Sequence, residues 1–123
     1  MPTPSGSGHR FDLVVSDIDG CLQSEGSHPM DLAALGQIAG HNRRANETGD
    51  VPKVTLCSGR PQPFAEAMCK FLRIENVPCV SENGAWLYRL DRNEYLLDPT
   101  ITPDHLAAVR EASAWVRASP ARA

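Results

Sequence analysis

Nowhere in this chain does an apolar run approach the ~20 residues that a helix needs to cross a bilayer, so nothing in it reads as a membrane anchor. Blocks of like charge are missing too. The net charge of −3 is spread along the sequence, which leaves no electrostatic case for nucleic acid or an anionic membrane as partner. The four cysteines, Cys21, Cys57, Cys69 and Cys79, show no CxxC spacing and no disulfide-framework density. They read as small buried thiols in a reducing compartment, and the expected location is cytoplasmic. His9, His41 and His105 fall at no metal-ligand spacing, which argues against zinc, and His28 reads as an exposed loop residue. Internal repeats are absent. The opening stretch, Met1 to Arg10, is rich in Pro, Ser and Gly and lacks the basic-then-apolar order of a signal peptide. It is expected to be a disordered lead-in.

What is present fits one soluble globular domain: 123 residues, 41% hydrophobic and 22% charged. Phe11 to Ser16 is a short, β-branched, mostly apolar run that stops at Asp17-Ile-Asp-Gly20, as a buried strand of a parallel sheet would. Leu32, Leu35, Ile38 and Ala39 recur at helical spacing between Asp31 and about Asn46. Lys53 to Cys57 is a second strand, followed by Ser58-Gly-Arg-Pro61. A helix opened by Pro61 or Pro63 follows, with Phe64, Ala67, Met68 and Phe71 as its buried stripe. Val77 to Ser81 is a third strand, ending in Glu82-Asn-Gly-Ala85. Asp91-Arg-Asn93 then separates two strand-like runs, a hairpin on which Trp86 and Tyr88 read as packing. Thr102-Pro-Asp104 caps a last helix running to about Arg117, with Leu106, Val109 and Val116 on one side.

The order β-α-β-α-β, hairpin, helix predicts an α/β fold built on a parallel sheet with right-handed crossovers. Ligands bind beyond the carboxyl ends of such strands. The polar clusters 17–20, 58–60 and 82–84 all fall at those ends. Two carboxylates two residues apart can both face that edge if the chain turns out of the strand, and Gly20 permits the turn. An EF-hand loop is excluded, because its glycine must be sixth and here it is fourth.

Asp17-Ile-Asp-Gly-Cys-Leu22, Leu56-Cys-Ser-Gly-Arg-Pro61 and Ser81-Glu-Asn-Gly-Ala85 together resemble successive motifs of the haloacid dehalogenase superfamily. The branch they look most like is that of the sugar-phosphate phosphatases with a large cap inserted after the third strand. The resemblance covers residues 11 to 105 and implies a Rossmann-like parallel sheet with flanking helices. Asp17 matches the nucleophile that becomes an aspartyl phosphate, and Asp19 the general acid/base. A Mg2+ ion would be held by the Asp17 carboxylate and the Asp19 main-chain carbonyl. Ser58 matches the hydroxyl that binds the transferring phosphoryl group, with the Gly59 amide close by, and Arg60 and Asn83 lie near the mouth of the site. Cys21 stands where Thr or Val is more usual. The physics agrees: a carboxylate meeting a phosphate oxygen is repelled by about 4 kcal/mol per unit charge pair at 4 Å and an effective dielectric near 20, and a divalent cation between them reverses the sign. Asp19 can act as an acid only if it retains its proton near neutral pH, and a second carboxylate nearby pushes in that direction.

The resemblance also implies a later lysine and a later acidic cluster. The only lysines are Lys53 and Lys70, and the acids after Ala85 follow no buried strand. The expected organisation is a lead-in over 1–10, a partial core domain with its hairpin over 11–100, and a helix over 101–123 leading toward a missing cap. The later core strands are missing with it, so Leu13 to Val15 should form an open sheet edge suited to self-association. The implied activity is magnesium-dependent hydrolysis of a small phosphorylated metabolite, most simply a sugar phosphate, with impaired turnover. A phosphosugar mutase and a non-catalytic, self-associating remnant stay open as alternatives.

Overall fold

Residues 11–120 are described by the computed structural model, and the lead-in expected for Met1 to Arg10 lies outside them. Strand β1 (Leu13–Ser16) pairs in parallel with β2 (Lys53–Leu56), from Leu13 opposite Lys53 to Ser16 opposite Leu56. Between them runs helix α1 (Leu32–Thr48). Its start is fixed by Asp31, whose Oδ1 accepts from Ala34 N at 3.0 Å. It stops at Gly49, whose positive φ of 68° lets the terminal amide turn back onto Ala45 O. Helix α2 (Gln62–Leu72) follows β2, with Pro63 in its first turn.

Strand β3 (Cys79–Ser81) continues the parallel arrangement beside β2. Cys57 bridges Val80 in parallel, Ser58 N donates to Val80 O, and Thr55 Oγ1 donates to Pro78 O at 2.7 Å. A short 3-10 turn over Glu82–Gly84 leads into the antiparallel hairpin of β4 (Trp86–Arg89) and β5 (Glu94–Leu97). β4 pairs with β3 as well, so the strands follow one another in space as β1, β2, β3, β4, β5. Helix α3 (Pro103–Ala118) begins at Thr102, which exchanges hydrogen bonds with His105 in a reciprocal cap.

The core is one cluster between the sheet and the two crossover helices: Ile18, Leu35, Leu56, Met68, Leu72, Ile74 and Tyr88, with the small residues Ala65, Cys69 and Cys79. α2 buries Ala65, Met68, Cys69 and Leu72 rather than the stripe expected from its larger apolar residues. Met68 is common to both, but Ala67 and Phe71 are exposed. Small side chains let the helix lie close to the sheet, while Phe64 packs against the core only in part and Phe71 is turned outward. Leu32 likewise sits exposed at the start of α1, and α3 buries nothing, so the stripe of Leu106, Val109 and Val116 faces outward. Only two of the four thiols are buried, Cys69 and Cys79; Cys21 lies in an exposed loop and Cys57 is exposed where β2 ends, not turned into the sheet.

β1 is the other departure. It has a strand's sequence but not a buried strand's surroundings: Leu13, Val14 and Val15 are 43%, 42% and 56% exposed. Among the described residues it has β2 on one side and no strand on the other. The open edge expected from the sequence is therefore there.

Candidate active site

Three strand ends meet at one place. β1 runs out through Asp17, Ile18 and Asp19, with Ile18 fully buried and the two aspartates pointing away from the core. The turn that follows is tight. The Ile18 carbonyl receives the amides of Cys21, Leu22 and Gln23, and Gly20 N donates to Gln23 O at 2.8 Å with Gly20 at φ 82°. That left-handed conformation is one that glycine adopts without strain.

The second end is sewn to the first and third. Cys57 N donates to Ser16 O and Ser58 N to Val80 O; Asn83 N donates to Ser58 O and Glu82 N to Arg60 O. The loop Ser58-Gly-Arg60 is thus clasped between the ends of β1 and β3. Gly59 sits so close to Asn83 that a β-carbon there would lie 2.9 Å from Asn83 Oδ1. Asn83 itself is held at φ 56°, a left-handed conformation that asparagine tolerates better than most residues. The structure therefore brings Asp17, Asp19, Ser58, Gly59, Arg60 and Asn83 to the same edge of the sheet.

Their side chains do different things there. Asp17 is exposed, and its Oδ1 accepts from Ile18 N at 2.7 Å. Ser58 is buried, and its hydroxyl oxygen accepts from Arg60 N at 3.0 Å, which leaves the hydroxyl proton available. Arg60 reaches across to Asp19 as a two-pronged ion pair: Nε to Oδ2 at 2.8 Å and Nη2 to Oδ1 at 2.6 Å. Gln23 Nε2 also donates to Asp19 Oδ1, at 2.9 Å, and the Arg60 guanidinium lies 4.8 Å above the centre of the Phe64 ring.

This clamp works against the condition that Asp19 keep a proton near neutral pH. The hydrogen bonds from Arg60 and then Gln23 hold its carboxyl down at about 2, and the same pairing raises the Arg60 guanidinium. A neighbouring carboxylate would push the other way, but the bidentate arginine is the stronger influence. Gln23 and Phe64 are neighbours of the site that sequence reasoning missed; Glu82, from the 82–84 cluster, accepts from Gln62 N through Oε2 at 2.9 Å and so completes the start of α2. Gln23 lies four residues beyond Asp19, the return distance of the Gly20 turn, and that was the one available signal. His28 is exposed in the following loop, as expected.

As a metal site the residues supply a partial set. Mg2+ takes oxygen ligands and commonly only one or two carboxylates, with waters and substrate oxygens completing its shell. The outward-facing Asp17 carboxylate and the Asp19 carbonyl suit that chemistry, whereas the Asp19 carboxylate is already paired. Among the described residues no cluster of three or more His, Cys, Asp or Glu side chains could hold a metal. The same residues contain no helix long and apolar enough to cross a membrane.

The sequence model described as haloacid dehalogenase-like hydrolase matches residues 14–114. The fold is similar to that of a haloacid dehalogenase-like hydrolase from Bacteroides thetaiotaomicron, with a TM-score of 0.65 and 16% identity over 88% of this chain. It is also similar to a hypothetical protein from Geobacillus kaustophilus HTA426, with a TM-score of 0.56 and 24% identity over 85% of this chain. The chain spans 39% and 37% of the length of those two structures. No curated protein matches it.

Proposed function

The chain belongs to the haloacid dehalogenase-like hydrolases, and from that membership we infer that its site transfers the phosphoryl group of a small phosphorylated metabolite, such as a sugar phosphate, to Asp17 and then to water. The observation that carries this reading is the convergence of an outward-facing carboxylate at position 17 with the Ser58-Gly-Arg60 loop at one sheet edge. Asp17 and Asp19 would hold Mg2+, which when bound supplies the positive charge that lets two anions approach.

The protein's own groups do the rest. The Asp17 carboxylate attacks phosphorus; the new phosphorus–oxygen bond forms as the bond to the leaving oxygen breaks. The Ser58 hydroxyl and the Gly59 amide orient the equatorial oxygens. Asp19 would protonate the leaving oxygen and then take a proton from the water that cleaves the acyl phosphate, and the Arg60 pairing, which holds its carboxyl down at about 2, weakens it in both roles. Lys53 bonds Asn76 at the far end of β2 and Lys70 is exposed on α2, so neither lysine of this sequence stands at the site. Slow turnover follows. The test is magnesium-dependent phosphate release from an aryl phosphate, compared with Asp17→Asn. Loss of release in the variant supports the reading, and equal release by both would refute it.

The exposure of both faces of β1 favours a second reading, a chain that self-associates through that edge. It would form an oligomer indifferent to magnesium and phosphate.

A further inference from the structure

Two consecutive residues after β3 take a backbone conformation that side chains disfavour: Glu82 stands at φ 50° and Asn83 at φ 56°. In that left-handed region the β-carbon crowds the backbone, so such residues cost stability and persist only where their surroundings over-determine them. Asparagine tolerates the conformation better than most residues, and glutamate does not share that tolerance.

Here the surroundings are the loop that carries Ser58, Gly59 and Arg60. Asn83 N donates to Ser58 O at 3.2 Å and Glu82 N to Arg60 O at 3.1 Å. Glu82 Oε2 accepts from Gln62 N at 2.9 Å, just beyond the loop. The Asn83 carboxamide lies over Gly59, where a β-carbon would come 2.9 Å from Oδ1. Both strained residues are thus spent on gripping the loop.

The bond to Ser58 O has a directional consequence. The Ser58 carbonyl and the Gly59 N–H belong to one peptide unit, and among the described residues no peptide bond is cis. In a trans unit these two groups point in opposite directions. Fixing the carbonyl on the Asn83 amide therefore turns the Gly59 N–H away from the turn. Among the described residues that N–H donates to no protein group. Beside it the Ser58 hydroxyl accepts from Arg60 N and keeps its own proton available. Adjacent donors held in place and unspent within the protein are what an oxyanion requires.

We propose that the left-handed Glu82–Asn83 turn is a positioning element that, through the Asn83 amide, aims the Gly59 N–H at an oxygen of the transferring group. Asn83 acts by the conformation of its backbone, without a contact between its carboxamide and substrate. That the oxyanion is a phosphoryl group rests on the functional reading above; the turn's hold on the Ser58–Gly59 peptide does not.

The test separates backbone from side chain at position 83. The 15N-labelled chain is titrated with inorganic phosphate in the presence of Mg2+, and the Gly59 amide resonance is followed in the unsubstituted protein, Asn83→Gly and Asn83→Ala. The expected result is a saturable downfield shift of the Gly59 amide proton. Asn83→Gly keeps the left-handed backbone and loses the carboxamide, so it should weaken phosphate by less than about threefold, whereas Asn83→Ala, which disfavours the turn, should weaken it about tenfold. Without phosphate, the amide of residue 83 should exchange slowly with solvent deuterium in the unsubstituted and glycine proteins and faster in the alanine one. The proposal is overturned if Asn83→Gly weakens phosphate as much as Asn83→Ala or, should the alanine variant not fold, by about tenfold or more, because the carboxamide would then be the acting group. It is equally overturned if phosphate shifts other amides of the site and leaves Gly59 unmoved. No phosphate shift at any amide, with exchange in the expected order, would instead count against the phosphoryl-transfer reading and leave the turn's hold on the peptide standing.

Discussion

At the scale of single residues, the decisive contact is the clamp on Asp19. Two guanidinium nitrogens and the Gln23 amide favour the ionised carboxylate, so its folded pKa of about 2 lies below its unfolded value. A group depressed in this direction stabilises the fold above its unfolded pKa and loses that contribution as pH falls toward the folded one. Asp50, held to about 2 by Arg44 and Thr48, acts in the same direction, as do Asp91 beside Arg89 and Asp98 beside Thr100. The urea midpoint should therefore hold steady from neutral pH down to about pH 5 and fall progressively below the ordinary carboxylate range near 4. Carboxyl carbon shifts should place the Asp19 titration near 2, and Arg60→Gln should move it upward toward that range. A titration at the ordinary value in the unsubstituted protein would contradict the clamp. The meeting of residues 17–20, 58–60 and 82–84 at one sheet edge was legible in the motifs, but the clamp was not. Asp19 and Arg60 are 41 residues apart, and only the parallel pairing of β1 with β2 tells which side chain of one loop faces which of the next.

At the scale of elements, the alternation of strands and helices was readable because each segment carries its period and its stops: Asp31 and Gly49 around α1, Thr102 before α3. Which residues of α2 face inward was not, because periodicity ranks side chains by apolarity and close packing ranks them by size. Ala65 and Cys69 took the buried places, and Phe64, packed against the core only in part, also lies beneath the Arg60 guanidinium. Polar residues on buried faces are equally hidden from pattern reading. Asn42, almost wholly buried in α1, donates to Val54 O and Leu72 O and accepts from Val54 N, thereby tying α1 to β2 and to the end of α2. Asn42→Ala should destabilise the protein by about 2–4 kcal/mol in urea unfolding, since it orphans three backbone groups at once. A loss under about 0.5 kcal/mol, within the range of an ordinary surface substitution, would show that water replaces the amide.

At the scale of the whole molecule, the two ends of the chain's topology contrast. The hairpin ends one side of the sheet with β5, whose Tyr95 and Leu96 are partly exposed; on the other, β1 leaves all three of its apolar side chains exposed. The chain spans about two-fifths of the length of the solved structures it is similar to, and its fold matches theirs over that part. With an edge of this kind, concentration-dependent self-association is expected, and Val15→Lys, which places a charge on the most exposed of the three residues, should reduce it. Sedimentation velocity with and without the substitution checks this, and an oligomer that persists unchanged would locate the contact elsewhere.

The measurement closest to the central claim is trapping of the phosphorylated side chain. The chain is mixed with an aryl phosphate and Mg2+, quenched in acid, and the peptide containing residues 17–20 is weighed by mass spectrometry. One added phosphoryl group on Asp17, absent when Mg2+ is chelated and absent in Asp17→Asn, is the predicted result. A phosphoryl group on any other residue, or none on Asp17 in the presence of Mg2+, would contradict it.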